Sequence, residues 1–393
     1  MTTIHSLCSV LSHLQGWTII PNALHRPSVL LRETLPEDAP FLLSAAESSR
    51  FRSVNFPAGL EGLQRKIDVS QRSFGGELKN PAEQEYMFTV LSDHSEKAIP
   101  IGSSTFYPKH GTPSEPHNAY QIHDDETDPA LSLITDTDGP AEVGAIVVHA
   151  ALQGSENAGR HAAILVEGSR FMVTVTGGYG RAASWVRFFW AAMPHLRESF
   201  RHRECLAEML PPLAAGPDSG RTNAFYETAV KPHFDSRTYE EMDLETLRDR
   251  TLIGRRLPRR IRLAELPEDA RSVIGQVGAK SRPALKLLER LGFRNTGRID
   301  PLDAGPHYVG SFSDNPLFLG ARDLLFGGSS ERGDEIGWTY GLMGVHRPER
   351  GVRFRAALGP FFVVEDDLFT TPEVAEGLGF RIGTRVTASA ATL

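Results

Sequence analysis

The stretch QGSENAGR, Gln153–Arg160, lies between the apolar run AEVGAIVVHA and a helical pattern, and its residue types suit an oxyanion. Backbone N–H groups at a helix start are unpaired and point outward, and the helix dipole adds attraction for negative charge. Ala158 and Gly159 allow close backbone approach, Arg160 adds a cation, and Gln153 and Asn157 bring side-chain amides. The chemistry served would be phosphate binding; the plain alternative is a surface turn. GRRLPRRIRL, Gly254–Leu263, carries five arginines. It reads as a solvated strand face or a phosphate contact, because the chain as a whole is acidic. RHREC, Arg201–Cys205, has no spacing suited to a metal, His149 reads as a structural histidine, and no metal is expected.

These residues need elements to position them. The chain has 393 residues, enough for two or three cores, with 40% hydrophobic and 23% charged residues, as in a soluble globular protein. A net charge of −7 argues against nucleic acid or an anionic membrane as partner, and no apolar run reaches membrane-span length. Cys8 and Cys205 form no CxxC pattern, so a reducing compartment, the cytoplasm, is expected. No acidic residue precedes Glu33, a composition weakly like a transit peptide, which keeps a mitochondrial matrix location open; a plain extension is the simpler reading.

SVLLRETLPEDAPFLLSAAESS (Ser28–Ser49) predicts a strand, a turn at Pro36 and a helix. EYMFTVLSD and IPIGSSTFYP predict a hairpin, residues 108–129 a surface loop, and Ala141–Ala150 a strand buried on both faces. The segment after Leu152 reads as a loop leading into a helix, and VTGGYGRAASWVRFFWAAMPHL is left unplaced. ECLAEML is a strand candidate before the helix of NAFYETAVKPHF, with Phe225 and Ala229 inward. RSVIGQV likewise reads as a strand before a helix whose Ala284, Leu287, Leu288 and Leu291 share one face, with Ser281 as cap and Gly292 as stop. Two β–α–β units suggest an internal duplication. From Ser311 onward EIGWTYGLMG, GVRFRAALG and PFFVVEDD predict short strands, and TPEVAEGLG a capped helix.

Two of these helices resemble the fourth helix of GNAT acyltransferases. LPRRIRLAELPEDARSVIGQVGAKSRPALKLLERLGFRNTGRIDPLDAGP is similar, nearly end to end, to the corresponding block of arginine N-succinyltransferases. DTDGPAEVGAIVVHA, MPHL with LAEM, and RTNAFYETAVKPHF resemble further blocks of that family. The resemblance implies an α+β fold of tandem GNAT-like lobes that moves succinyl from succinyl-CoA, or another acyl-CoA, to the α-amino group of arginine or a similar amino acid. The implied division is an extension at 1–27, a first lobe with the CoA site at 28–250, a partial second lobe at 251–310 and a small β-rich domain at 311–393. Acyl-CoA enters as co-substrate with no permanently bound cofactor, and a homo- or hetero-oligomer is expected.

Residue by residue, the resemblance assigns QGSENAGR to the CoA pyrophosphate and Ile146 to a backbone contact with the acyl-CoA. The family's proton-donor histidine falls at Gly278, followed by Ala279, and glycine transfers no proton. Tyr226 and Lys280 are therefore the candidate acid–base groups. Asp300 and Asp303 match the family's acidic pair and would hold the guanidinium, while Arg282 would meet the succinyl carboxylate. The same departure at Gly278 leaves open an acyltransferase of different specificity, or a partner subunit without turnover.

Overall fold

A computed structural model describes residues 23–48, 59–95, 97–125, 127–154, 157–215, 221–235, 237–239, 241–242, 249, 251–331, 337–349 and 351–390. Residues 1–22 of the extension expected at 1–27, and Ser155 and Glu156 of the QGSENAGR loop, lie outside them. The chain is a mixed α/β fold of two compact units. The first comprises Met1–Phe106, Ala145–His202 and Phe312–Leu393; the second comprises Tyr107–Gly144 and Arg203–Ser311.

In the first unit the sheet runs, in order, through Pro100–Tyr107, Tyr86–Leu91, Val29–Glu33, Phe354–Val364, Thr339–His346, Arg385–Ala390, Arg322–Ser329 and Asp367–Thr370. The β-rich tail is therefore not separate. Val29 to Arg32 pair with Leu358 to Arg355, so the tail's strands extend the sheet begun near the N-terminus. GVRFRAALG and PFFVVEDD form one strand, Phe354–Val364, because Gly359 and Pro360 stay extended against Gly341 and Tyr340. The expected hairpin of Tyr86–Leu91 with Pro100–Tyr107 is present, as is the Thr371-capped helix Pro372–Leu378.

The turn from the Val29–Glu33 strand into the Ala39–Ser48 helix is fixed by buried Asp38. Its carboxylate accepts both Arg32 guanidinium arms at 2.6 and 2.7 Å, the Leu35 N–H at 2.9 Å and the Thr89 hydroxyl at 2.9 Å. A buried carboxylate is tolerated only when paired and hydrogen-bonded in this way. The unplaced aromatic segment forms the helix Tyr179–Ala191, buried at nearly every position. Trp190 packs within 4.8 to 6.3 Å of Phe74, Phe354, Tyr86 and Phe88, which explains the aromatic density of this sequence.

The helix expected after Leu152 is instead a hairpin, His161–Val166 with Ser169–Thr174. Its two-residue turn puts Glu167 at φ 47° and Gly168 at φ 80°, the paired positive angles that suit strand twist. Gly168 thus turns the chain into the return strand where a helical reading would have continued.

The second unit orders its strands Arg260–Arg262, Ala130–Asp136, His117–His123, Arg294–Ile299, Pro306–Ser311, Glu204–Glu208 and the start of Ala141–Val148. His117–His123 lies inside the segment expected as a loop and pairs with Ala130–Asp136. RSVIGQV is no strand: Glu268–Val273 is a short helix, and the chain turns at Gly275 with φ 67°. The following helix Arg282–Arg290 and strand Arg294–Ile299 stand as expected. Ser281 occupies the cap position without a side-chain capping bond, and Gly292 takes φ 89° just past the helix end. The arginine-rich segment is neutralised locally, Arg255 by Asp249, Arg260 by Asp128 and Arg262 by Glu265.

Candidate functional site

In the first unit the described amides of the QGSENAGR loop are partly committed within the chain. The Gly159 N–H donates to Val175 O at 2.8 Å and the Arg160 N–H to Asn157 O at 3.0 Å. The Asn157 side chain donates to Gln153 O and that of Gln153 to Val148 O, both at 2.7 Å. A strand follows, not a helix, so the helix-start reason for a phosphate cradle fails here. Gly159, at φ 82°, serves the base of the hairpin.

The geometry expected of QGSENAGR stands instead at Gly177–Arg181. Gly177 and Gly178 take φ 84° and 78° and turn the chain into the Tyr179–Ala191 helix. A Cβ added at Gly177 or Gly180 meets nothing within 4 Å. The Tyr179 hydroxyl accepts the Thr176 N–H at 3.0 Å and donates to Thr174 O at 3.3 Å, which pins the turn. The first amides of any helix lack intrahelical partners. Here no acidic residue occupies the first turn, and Arg181 stands in it, exposed. Unpaired amides, dipole and cation together favour an anion. The signal in the sequence was the GGYG string before a long apolar helix.

Ile146 is half-buried in the strand Ala141–Val148, next to Ala145 at φ 35°. That strand's parallel pairing covers only Ala141 with Cys205 and Glu142 with Leu206. In the first unit it approaches Gly102 so closely that a Cβ there would lie 2.5 Å from Val147 O.

In the second unit Tyr226 is fully buried in a short π-helical turn and donates its hydroxyl to Arg237 O at 2.9 Å. It packs edge-on against Tyr239, whose hydroxyl donates to Asp303 Oδ2 at 2.8 Å. Asn223 joins the same turn to the acidic loop, accepting the Tyr226 N–H and donating to Asp303 O at 2.7 Å. Asp303 also accepts the Gly305 N–H, and Asp300 Oδ1 accepts those of Leu302 and Asp303. The acidic pair thus shapes its own turn, and Asp303 is only 4% exposed. Lys280 and Arg282 are exposed at the start of the Arg282–Arg290 helix.

Gly278 is buried, donating its N–H to Leu210 O at 2.9 Å, and a Cβ at this position would sit 2.6 Å from Pro211 O. Gly305 meets the same segment, with Met209 O at 2.3 Å from an added Cβ. Glycine occupies 278 for want of space; its φ is not positive.

Beside this segment lies a cluster that the sequence reading did not assemble. Glu208 ends its strand, and His307 is its direct cross-strand partner. Glu208 Oε1 accepts from His117 Nε2 at 3.1 Å and lies 3.6 Å from His307 Nε2. His117 and His307 stack at 5.3 Å, His110 meets His117 edge-on at 4.5 Å, and His110 Nδ1 pairs with Glu142 at 2.6 Å. Burial lowers His307 to about 4 against the pull of Glu208, so its ring is neutral at pH 7. Desolvation opposes the charge on Glu208, but the His117 hydrogen bond and the neighbouring imidazoles hold its carboxyl below the usual range. Burial, then the charges of Asp303 and Glu208, push Asp300 well above it.

No helix among the described residues is long and apolar enough to cross a membrane. The chain is similar to an arginine N-succinyltransferase subunit beta of Pseudomonas aeruginosa, 25% identical over 292 residues, which are 71% of this chain and 75% of that one. It is also similar to an arginine N-succinyltransferase of Yersinia pestis, 25% identical over 356 residues, covering 84% and 89%. The structure of arginine/ornithine succinyltransferase subunit AI from Pseudomonas aeruginosa superposes with a TM-score of 0.67 at 20% identity, covering 92% of this chain and 98% of that one, and shares the fold. The family model of the arginine N-succinyltransferase beta subunit matches residues 29–175 and 173–315. The chain belongs to the arginine N-succinyltransferase family.

Proposed function

We propose that the chain transfers succinyl from succinyl-CoA to the α-amino group of arginine, as an enzyme of arginine catabolism in the cytoplasm. The observation that carries this reading is the family match along residues 29–315, which takes in both the Gly177–Arg181 turn and the Asp300–Gly305 loop. In this reading each unit contributes a GNAT-like lobe, and the chain works in an oligomer.

The Gly177–Arg181 turn holds the CoA pyrophosphate on the first amides of the Tyr179–Ala191 helix, with Arg181 adding charge. The pantetheine lies along the Ala141–Val148 strand at Ile146, where the Ala145 backbone turns aside. Exposed Arg282 meets the succinyl carboxylate. The α-amine then attacks the thioester carbonyl, the tetrahedral intermediate collapses, and CoA leaves as thiolate. The ammonium proton must be removed before attack and a proton returned to sulfur. Tyr226, buried with its hydroxyl committed to Arg237 O, is a packing residue in this scheme. Lys280, exposed beside the Gly278 loop, is the acid–base group.

Product analysis tests this: the chain is incubated with succinyl-CoA and arginine, then with other acyl-CoAs and amines, and read by mass spectrometry alongside CoA thiol release. Succinylarginine as main product supports the reading; a different acylated amine would move the specificity, and thiol release without an acylated amine would remove it.

One observation favours a second reading. The position of the family histidine has no room for any side chain, with Pro211 O 2.6 Å from a would-be Cβ, which suits a subunit that binds acyl-CoA without turnover. CoA binding by calorimetry, with no product from any donor, is the pattern that reading requires.

A further inference from the structure

The two ring nitrogens of His307 have no hydrogen-bond partner, although the residue is 0% exposed. An imidazole removed from water without a partner is costly, and a native interior that holds one has a missing water or ion to account for. The surroundings select between these. His307 Nε2 faces Glu208 Oε1 at 3.6 Å, beyond hydrogen-bond range. His117 Nε2 meets the same oxygen at 3.1 Å. Two ligands of one tetrahedral zinc, with bonds of 2.0 to 2.2 Å, stand about 3.4 Å apart, between these two separations. The ligand atoms of Glu208, Asp300 and His307 all lie within 4.8 Å of one another, as do those of His110, His117 and Glu208.

Charge points the same way. Glu208, Asp300 and Asp303 crowd together, the charges of Asp303 and Glu208 both bearing on Asp300. Clustered carboxylates in a desolvated place call for a compensating cation. The carboxylate is also prepared: His117 donates to Glu208 Oε1 at 3.1 Å, and His117 is itself packed edge-on against His110, whose Nδ1 pairs with Glu142 at 2.6 Å.

We propose that the second unit binds one divalent transition-metal ion, of the Zn²⁺ class, through His307, Glu208 and Asp300, with His117 hydrogen-bonded to Glu208 and His110 packed against His117. An imidazole with two carboxylates is a borderline donor set that suits Zn²⁺ over Mg²⁺ or Ca²⁺. The Glu208 side chain, 29% exposed, gives the ion its way in. The inference does not depend on the acyltransferase reading, since it uses none of that scheme's CoA-binding residues.

The test uses the full chain, stripped with chelator and titrated with ZnCl₂ by calorimetry, with metal content measured after gel filtration. CoCl₂ loading serves as a spectroscopic probe. The expected result is one Zn²⁺ per chain, visible Co²⁺ bands of a nitrogen–oxygen site, and a higher melting temperature with Zn²⁺. His307→Ala and Glu208→Gln should each weaken Zn²⁺ binding at least tenfold. Should a variant fail to fold, the wild-type Co²⁺ spectrum and stoichiometry decide. Absence of bound metal, or binding that both folded variants retain in full, would overturn the site and leave a water-filled polar cluster.

Discussion

Restoring a histidine at position 278 should damage the protein, not revive its chemistry. The first atom of any side chain there would lie 2.6 Å from Pro211 O, 3.0 Å from Pro211 C and 3.2 Å from Leu210 O. A Cβ does not approach an oxygen closer than about 3 Å, so the loop must retreat from rigid backbone, with no side chain free to yield. Retreat also stretches the bond from the Gly278 N–H to Leu210 O, now 2.9 Å. Overpacking of this kind costs about 1–3 kcal/mol, and the lost hydrogen bond adds about 0.5–1.5 kcal/mol. Gly278→Ala should therefore lose roughly 2–4 kcal/mol, and Gly278→His at least as much. Denaturant titration of both variants, with an unchanged slope, measures it. A Gly278→Ala variant within about 0.5 kcal/mol of wild type, or a Gly278→His variant with raised succinyl transfer, would refute the reasoning.

Other consequences follow from the same geometry. Gly180→Val, at an exposed position with open space around it, should weaken CoA binding by tenfold or more in calorimetry by blocking phosphate approach, while the fold survives. Gly159→Pro, by contrast, removes the N–H held by Val175 O and should lower the melting temperature while CoA affinity stays. Tyr226→Phe should cost about 1 kcal/mol in stability and leave kcat within a fewfold of wild type, whereas Lys280→Ala should lower kcat by roughly 10²-fold. Burial holds the half-buried His346 imidazole below its ordinary range, near His195, Glu349 and Arg353, despite its contact with Phe74 O. Its folded-state value is depressed, so the neutral ring's contribution is complete above about pH 6.5 and is lost as pH falls below it. Melting temperature against pH should show that acid-side loss, and His346→Gln should make it shallower, with the buried His195 and His307 rings keeping their share.

The strongly patterned parts of the fold were legible. A continuous apolar run marked Ala141–Val148, ECLAEML stood out as a short strand candidate, and helical spacing with a stop glycine marked Arg282–Arg290. The hairpin His161–Thr174 was read as a helix because its signal is a single Glu-Gly turn between two apolar runs. The phosphate expectation rested on the same reading: a helix expected after QGSENAGR made that loop attractive, while the glycine turn before the Tyr179–Ala191 helix stayed unassigned. RSVIGQV looked like a strand by composition, yet tertiary context made it a helix and a glycine turn. The His–carboxylate cluster was out of reach for a different reason. His110, His117, Glu208, Asp300 and His307 share no local spacing, and only the sheet's register brings them together.

In the proposed reaction the α-amino group of arginine receives the acyl group. Arginine carrying a nitrogen label at the α-amino position, turned over with succinyl-CoA by the purified chain, tests it by heteronuclear NMR. The labelled nitrogen should acquire an amide N–H signal, at a rate that follows enzyme concentration, while the guanidinium signals stay unchanged. A labelled amine that never becomes an amide, or acylation found only on the guanidinium, would contradict it.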